Sequence, residues 1–262
     1  MRAKALFYNR SVLITHVSIA LLIFGCKPAK ESSTELIPYT VVKVFPHDKS
    51  AFTQGLVIEY GRLFESTGQE GSSWIAEVDI ASGKQDKKVI LDDSYFGEGI
   101  TVLGNKIYQL TWKSKTGFVY DVNSFQKQTE FTYNHEGWGI THDNKNLMVS
   151  DGTNKIHFLD TATLQEIRVI EVKENSQPVD KLNELEYIEG YLFANRWMTN
   201  ELVKVDLASG EVVGRLDLSK LALEANQSNP SADVLNGIAY EKKSGLVLVT
   251  GKWWPYLFAL RL

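Results

Sequence analysis

A short sequence cassette returns five times along the chain, and each copy opens a run of strand-like alternation. The copies lie at residues 52–56, 96–100, 136–140, 182–185 and 235–238. Self-similarity with a period of roughly 40 to 50 residues is typical of repeat architectures, in which each copy is one supersecondary unit. The chain is therefore expected to form a ring of similar β units rather than one layered domain.

Each repeat continues in the same way after its cassette. A turn leads to a second apolar strand, then to a third strand that ends in Asp, and then across a short turn to a fourth, alternating strand. The third strands are expected at 74–79, 118–121, 156–160 and 202–206, and the fourth at 88–91, 128–133, 166–172 and 212–218. Four strands in each unit predict an all-β fold, a five-bladed β-propeller.

The last repeat is incomplete, because the chain ends at Leu262 after its third strand. A spare strand without a cassette stands at the other end, at residues 40–45. We expect this N-terminal strand to complete the last blade, because that leaves no open sheet edge at the seam. Residues 38–262 are then the propeller, and the insertion at 218–234, with a helical turn at 220–225, is expected to rim a site.

The first 25 residues contain three basic residues, no acidic residue and an apolar stretch at 12–24, which is typical of a secretion signal. That stretch ends at Gly25 and Cys26, the one cysteine of the chain, and this resembles a bacterial lipoprotein cleavage box. The expectation is a signal peptide at 1–25, an acylated Cys26 with a tether at 26–37, and a lipid-anchored protein of the bacterial cell envelope, facing the periplasm or the outer surface. A plain signal or an uncleaved anchor helix remains the alternative.

Composition restricts the class of partner. The chain is 44% hydrophobic and 23% charged, which suits a large buried core, and its formal net charge is −4. The expected leader holds only basic residues, so the body is more acidic still. This balance does not favour nucleic acid, and we expect a monomer.

Two columns of repeat positions are candidates for chemistry, since residues at one repeat position of a ring converge on its axis. The first column, within the cassettes, contains Gln54, Glu98, Trp138, Asn183 and Asn236. The second follows each second strand, at 65–67, 110–112, 150–152, 195–197 and 251–254. Together they gather five of the six tryptophans. Tryptophan as plain inter-blade filler is the alternative explanation.

Glu98 stands between Gly97 and Gly99, with no flanking side chain to screen it. A carboxylate walled by Phe96 and tryptophans is poorly solvated, which raises its pKa and suits it to proton transfer near neutral pH. The alternative is a structural glutamate that accepts hydrogen bonds from backbone amides in the central channel. The residues alone leave the two interpretations open.

Metal chemistry has little support in the pattern. His47, His135, His142 and His157 show no close pairing with carboxylates along the chain, so a catalytic zinc is not expected. Asp151, beside Gly152, could contribute to a calcium site, although one carboxylate is weak support. No cofactor is expected to be required, and a structural calcium ion stays open.

The motifs at 52–56, 96–100, 182–186, 195–197 and 251–253, in this order and spacing, resemble those of the plant and bacterial glutaminyl-peptide cyclotransferases, which are five-bladed β-propellers. The resemblance implies conversion of an N-terminal glutamine of a peptide or protein to pyroglutamate with release of ammonia. It places the acid–base glutamate at Glu98. It also implies pocket positions at Phe52, Gln54, Phe96, Trp112, Trp138, Asn183, Trp197 and Lys252.

The reaction explains these residue types. Glu98 could accept a proton from the α-amine and return it to the leaving amide nitrogen. Lys252 or Asn183 could donate to the developing oxyanion. The rival interpretation, from another class, is a non-catalytic propeller lipoprotein that binds peptide or glycan ligands through the same aromatic mouth.

Overall fold

A ring of β-sheets forms the body of the computed structural model, which describes Met1 and residues 34–262. Two strands precede the first blade: β1 (Glu35–Leu36) and β2 (Thr40–Pro46). The first blade contains β3 (Thr53–Glu59), β4 (Arg62–Thr67), β5 (Trp74–Asp79) and β6 (Lys84–Ile90), and the second β7 (Gly97–Leu103), β8 (Lys106–Thr111), β9 (Thr116–Asp121) and β10 (Lys127–Thr132).

The third blade contains β11 (Ile140–His142), β12 (Asn146–Ser150), β13 (Lys155–Asp160) and β14 (Glu166–Glu171), and the small hairpin β15 (Lys173–Glu174) and β16 (Gln177–Pro178) follows. The fourth contains β17 (Leu182–Ile188), β18 (Tyr191–Arg196), β19 (Glu201–Asp206) and β20 (Val212–Asp217). Helix α1 (Ser219–Ser228) leads to the fifth, with β21 (Leu235–Glu241), β22 (Leu246–Gly251) and β23 (Tyr256–Arg261). The strands of each blade pair in chain order as antiparallel neighbours. The predicted five-bladed propeller is confirmed.

Within each blade, the strands become less buried from the axis of the ring to its rim. The innermost strand β3 is almost completely buried, whereas the outermost strand β6 is mostly exposed. This is why the cassette strands are nearly continuously apolar and the fourth strands alternate. The core of the described residues consists of five clusters, each between two adjacent blades. In one of them Leu202 and Leu216 of the fourth blade pack with Val249 and Phe258 of the fifth.

The N-terminal strand closes the ring as predicted. Strand β2 pairs antiparallel with β23, from Thr40 opposite Arg261 to Pro46 opposite Tyr256, and so becomes the outer strand of the fifth blade. The buried His47 follows directly, and its ring contacts the Trp254 carbonyl oxygen at 2.8 Å and Glu65 Oε1 at 3.1 Å. The seam is therefore fastened by main-chain pairing and by a polar contact to the first blade.

The chain joins the body before the predicted boundary at 38. Within the segment interpreted as a tether, β1 pairs in parallel with β20 at the outer edge of the fourth blade. The expected signal peptide and Cys26 lie outside the described residues. Among the residues that are described, no helix is long and apolar enough to cross a membrane.

The cassettes hold the blades together at the axis. A Cβ atom at Gly55 would lie 2.5 Å from the Ile100 backbone nitrogen of the next blade, and one at Gly99 would lie 2.7 Å from the Ile140 nitrogen. No side chain fits at such a distance, so glycine is required for the close approach. In the fourth cassette Glu184 takes the glycine position. Its carboxylate accepts hydrogen bonds from Leu56 N at 3.3 Å and Ile238 N at 2.8 Å, which joins three blades.

Two excursions leave the blade geometry. The hairpin β15–β16 turns through Asn175 and Ser176, both with positive φ, as a tight two-residue hairpin turn requires. The insertion after β20 contains α1, a ten-residue helix that is longer than the predicted turn. Leu221 and Ala225 of this helix are buried against the core between the fourth and fifth blades.

Candidate active site

Irregular pairing at the cassettes turns selected side chains toward one end of the ring. The register between the first and second strand of a blade shifts between Thr53 and Gly55, between Gly97 and Ile100, and between Leu182 and Leu185. A register shift of this kind bends the strand and re-aims a side chain that regular pleating would direct elsewhere. Gln54, Glu98 and Asn183 stand at the three shifts.

These side chains meet in a pocket of about 350 Å³. Nine of its lining residues are those that the sequence predicts as site residues, and the tenth is Asp233: Phe52, Gln54, Phe96, Glu98, Trp112, Trp138, Asn183, Trp197, Lys252 and Asp233. Asp233 comes from the insertion that was expected to rim a site, but no feature of the sequence singled out this residue. The structure thus brings all the predicted pocket residues together.

Glu98 is the buried carboxylate of the pocket. Glu98 is only 4% exposed, and its carboxylate accepts no hydrogen bond from residues 34–262. Burial raises the pKa of Glu98 well above its ordinary value; Lys252 partly opposes this and Glu136 adds to it. A carboxyl without a protein partner and with a raised pKa can exchange a proton with a bound molecule.

Lys252 faces Glu98 from the fifth blade. Its residue is 5% exposed, and its Nζ lies 4.5 Å from the centroid of the Phe52 ring, a cation–π distance. Burial lowers the pKa of Lys252, against the opposing effects of Glu98 and Asp233. Main-chain bonds fix its position, because Lys252 N donates to the Val234 oxygen at 3.0 Å and Asp233 N donates to the Lys252 oxygen at 2.9 Å.

Aromatic rings form the walls of the pocket. Phe96 packs edge-on against Phe52 and Trp112, with centroids 6.0 and 5.5 Å apart, and Trp138 and Trp197 pack edge-on at 5.6 Å. Trp197 is 36% exposed and stands at the mouth. The walls are therefore rigid apolar surfaces around a buried acid and a buried base.

Glu136 orients two of these aromatic side chains. The sequence did not predict this role. Its Oε2 accepts hydrogen bonds from Trp112 Nε1 at 2.7 Å and from Trp138 Nε1 at 3.0 Å. One carboxylate thus fixes indoles that come from two blades. The signal available in the sequence was its position in the third cassette.

The last two tryptophans of the columns have supporting roles. Trp253 packs against Phe52 with centroids 4.8 Å apart, and the fully buried Trp254 donates from Nε1 to the Asp233 oxygen at 2.8 Å. Asn229 Nδ2 donates to the Trp253 oxygen at 2.7 Å. These contacts attach the insertion to the fifth blade and so position Asp233. For Trp254, the filler interpretation holds.

Amide side chains form the floor of the pocket. Asn236 Nδ2 donates to Gln54 Oε1 at 3.1 Å and to the Thr53 oxygen at 3.1 Å, which orients the Gln54 amide. The Asn183 side chain is buried, and its Oδ1 has no hydrogen-bond partner within the described part of the chain. A buried amide with an unmet hydrogen-bonding group at a pocket is suited to a polar ligand.

Two of the histidines have carboxylate partners that spacing along the chain does not show, because the partners come from other parts of the fold. His47 contacts Glu65, and His157 lies between Asp151 and Glu166, at 3.2 and 2.7 Å. Burial raises the pKa of Asp151, but hydrogen bonds from His157 and Thr153 outweigh this effect and lower the pKa to about 2. None of these residues lines the pocket of Glu98.

Comparison with known proteins agrees with this architecture. The family model described as glutamine cyclotransferase matches residues 15–262. A glutaminyl-peptide cyclotransferase of Arabidopsis thaliana is 40% identical over 225 residues, which are 85% of this chain and 70% of the plant protein. The crystal structure of Myxococcus xanthus glutaminyl cyclase superposes with a TM-score of 0.80 and 36% identity, and covers 85% of this chain and 95% of the bacterial one.

The fold and the site define the class of protein: a five-bladed propeller with a buried glutamate in an aromatic pocket. The chain belongs to the glutamine cyclotransferase family. It is thus an enzyme of that class, and the interpretation as a non-catalytic binding propeller is set aside.

Proposed function

We propose that the protein converts the N-terminal glutamine of peptides or proteins to pyroglutamate and releases ammonia, with Glu98 as the group that moves the proton. The observation that carries the proposal is the state of Glu98: it is buried, it lacks a protein hydrogen-bond partner within residues 34–262, and it faces a pocket that also holds Lys252. The family relationship supports the reaction class.

The reaction requires a proton to leave one nitrogen and arrive at another. The α-amine has a pKa near 8 and is largely protonated at neutral pH, so it must lose a proton before it can attack. The Glu98 carboxylate accepts that proton, the amine attacks the γ-carbonyl carbon, and a tetrahedral intermediate forms. Glu98 as an acid then donates the proton to the amide nitrogen, the carbon–nitrogen bond breaks, and ammonia leaves. The ring nitrogen still carries two hydrogens at this point, and it passes one of them to the Glu98 carboxylate, from which the released ammonia takes it as ammonium.

Charge develops on the γ-carbonyl oxygen during the attack. Lys252 and Asn183 are two pocket residues that carry donors for it, and both are buried. A donor held in place in a site of low polarity stabilises an oxyanion more than the same donor in water, because no solvent has to reorganise. We assign Lys252 and Asn183 this role.

The aromatic walls supply orientation. A free glutamine side chain is flexible, and the cyclic transition state needs its amide folded back toward its own amine. Phe52, Phe96 and Trp112 form apolar walls against which the side chain can fold, and holding the two reacting groups together lowers the entropic barrier. The same walls exclude water, which disfavours simple deamidation.

The experiment is ammonia release from a Gln-initiated dipeptide by the full chain in detergent, with a chelator present and with Glu98→Gln beside the parent. The expected result is chelator-insensitive release that Glu98→Gln abolishes while the thermal unfolding temperature is kept. Release at parental rates from Glu98→Gln would show that another group moves the proton. Lys252→Ala is expected to lower kcat more than it raises KM, because its partner is the transition-state oxyanion.

We further propose that Cys26 carries a lipid that anchors the enzyme, as a monomer, to the bacterial cell envelope. The support is the sequence, with an apolar core that ends at Gly25 and Cys26. Mass spectrometry of the mature protein is expected to give an acylated chain that begins at Cys26. A mature chain with another first residue would overturn the anchor and leave the enzymatic proposal untouched.

A further inference from the structure

Three side chains of the third blade converge outside the pocket of Glu98. They are His135, which precedes β11, His157 on β13 and Glu166 at the start of β14. One ligand atom from each lies within 4.8 Å of the other two. The rings of His135 and His157 are stacked, with centroids 3.7 Å apart and an interplanar angle of 18°, so their planes are nearly parallel.

The ring of His135 has one nitrogen engaged and one unengaged. Nδ1 lies 2.7 Å from the Glu136 carbonyl oxygen, which only accepts, so Nδ1 carries the hydrogen and donates it. Nε2 is then a bare acceptor. It is buried and has no hydrogen-bond partner within residues 34–262. A buried ring nitrogen with an unused lone pair is costly unless a ligand uses it.

The ring of His157 has an acidic partner at each nitrogen. Nε2 lies 3.2 Å from Asp151 Oδ2, and Nδ1 lies 2.7 Å from Glu166 Oε2. Thr153 donates twice to Asp151 Oδ1, which holds that carboxylate in place. Both nitrogens therefore donate to a carboxylate in the metal-free protein. A cation that binds at Nδ1 would replace the hydrogen between Nδ1 and Glu166, whereas Nε2–H would stay donated to Asp151.

We propose that His135 Nε2, His157 Nδ1 and a Glu166 carboxylate oxygen form a binding site for one divalent transition-metal ion of the Zn²⁺ class. Two imidazole nitrogens and one carboxylate are ligands that zinc prefers, and three protein ligands leave a fourth tetrahedral position for water. The Glu166 side chain is 46% exposed, so solvent reaches this position.

The outer contacts match what a metal-binding histidine requires. Such histidines donate their other ring N–H to a carboxylate or a backbone carbonyl, which fixes the tautomer and the orientation of the ring. Asp151 fills that role for His157, and the Glu136 carbonyl fills it for His135. Asp151 is thus a positioning residue rather than a ligand. Both histidines meet this requirement at once.

The test is calorimetric titration of the full chain, freed of metal with a chelator, with Zn²⁺ as the probe. We expect saturable binding of one ion per chain. Mg²⁺ and Ca²⁺ are expected not to compete, because both prefer sets of oxygen ligands. Co²⁺ should bind at the same site and give the visible absorption of a tetrahedral complex.

Variants locate the ion. Glu166→Gln and His135→Gln remove one ligand each, and we expect the affinity for Zn²⁺ to fall at least about tenfold; Asp151→Asn should weaken it by about 10- to 100-fold through His157. Glu171→Gln, at the far end of the same strand, is the matched control and should bind as the parent does. Because Glu166 is largely exposed, its variant is expected to unfold at the parental temperature.

Two outcomes would overturn the proposal. One is the absence of saturable Zn²⁺ binding at micromolar concentration. The other is binding of equal affinity in Glu166→Gln, His135→Gln and Glu171→Gln, which would place the ion elsewhere on the chain. Neither outcome bears on the cyclotransferase proposal, because none of the three ligands lines the pocket of Glu98.

Discussion

Glu98 of the second blade and Glu184 of the fourth both lie in cassettes of the ring, but they differ in their hydrogen bonding. Both are buried on innermost strands, and burial raises the pKa of each well above its ordinary value. Glu184 is 0% exposed, and its two oxygens accept backbone hydrogen bonds from the first and fifth blades. Glu98 has no such bonds within the described residues and faces an open pocket.

The comparison separates the effect of burial from the effect of bonding. Burial alone raises the pKa of a carboxyl, and it does so at both positions. A carboxyl whose lone pairs are held by backbone amides stabilises the fold, whereas one without partners remains available to a substrate. The structural interpretation that the sequence left open for Glu98 thus applies to Glu184. Glu98, which has no such bonds within residues 34–262, keeps the geometry that the proposed proton transfer requires.

The largest expected difference between the two glutamates is in turnover. Glu98→Gln keeps the size and removes the transferable proton, so kcat should fall by about 10²- to 10⁴-fold. Glu184→Gln should keep kcat close to that of the parent. Steady-state ammonia release measures both, and a larger loss of kcat in Glu184→Gln would reverse the assignment.

Lys252 connects Glu98 to the pH dependence of the reaction. A carboxylate with a raised pKa acts only above that pKa, so kcat/KM should fall, as pH decreases, at a higher pH than an ordinary glutamate would give. Since the charge of Lys252 lowers the pKa of Glu98, Lys252→Met should move this acidic limb to still higher pH. Loss of an oxyanion donor should also lower kcat by about 10²-fold.

A charged control completes the measurement on Lys252. Lys252→Arg keeps the positive charge and should leave the acidic limb near its parental position. The basic limb of the parent should fall below the range of an ordinary lysine, because burial lowers the pKa of Lys252, and this limb should disappear in Lys252→Met. Parallel pH profiles in all three proteins would contradict the coupling.

For the free energy of unfolding, the order of the two variants should be the reverse of that for kcat: Glu184→Gln should have the larger effect. Glu184→Gln places an NH₂ group against a backbone N–H that loses its acceptor, which should lower the free energy of unfolding by about 1 to 3 kcal/mol. Glu98→Gln loses no protein hydrogen bond and should unfold at nearly the parental denaturant concentration. Denaturant titration of both variants checks this. Equal destabilisation would contradict the conclusion that only Glu184 is held by backbone hydrogen bonds.

A third buried glutamate, Glu186, should make the free energy of unfolding depend on pH. This is the smallest of the expected effects. Burial raises its pKa from 4.5 to about 8, partly opposed by bonds from Tyr240 and Thr141. The folded state therefore retains a proton that the unfolded state releases between these values. Its contribution to stability is full below about pH 4.5 and decreases as pH rises toward 8, with a slope of at most about 1.4 kcal/mol per pH unit.

Glu186→Gln stays neutral at every pH and should remove this slope. The variant should gain stability relative to the parent as pH rises from 5 to 8, measured by denaturant titration at each pH. The exposed-site variant Glu171→Gln should follow the parent throughout. Because Glu98 and Glu184 also retain raised pKa values, the difference between the two proteins, not the absolute slope, is the quantity to compare.

Local features could be predicted because they repeat. The alternation in the third and fourth strands places β5, β9, β13 and β19 within about two residues of where the sequence puts them, and the unpaired strand at residues 40–45 indicates the closure of the ring. The short pairing of β1 was missed, because two residues carry no periodic pattern. The two-residue strands of the hairpin β15–β16 were missed for the same reason.

The pocket residues could be predicted as a set, because repeat positions converge on the axis and their motifs resemble a known family. Asp233 and Glu136 were missed as members of the site: one depends on how the insertion folds against Trp254, and the other on two indoles that reach it from different blades. The pairing of His157 with Glu166 depends on the register of β13 and β14, which no local pattern records.

The sequence by itself determined the number of blades and the closure of the ring, because both follow from residue type and spacing. It also determined the residues that meet at the end of the ring, through the repeat columns together with the resemblance to a known family. Only the tertiary structure decided which buried glutamate is held by backbone amides and which is left unpartnered, and which histidine nitrogens converge beside a carboxylate. Those outcomes depend on distances between blades and strands. Such distances are set when the whole ring packs, so residues far apart in the chain decide them together.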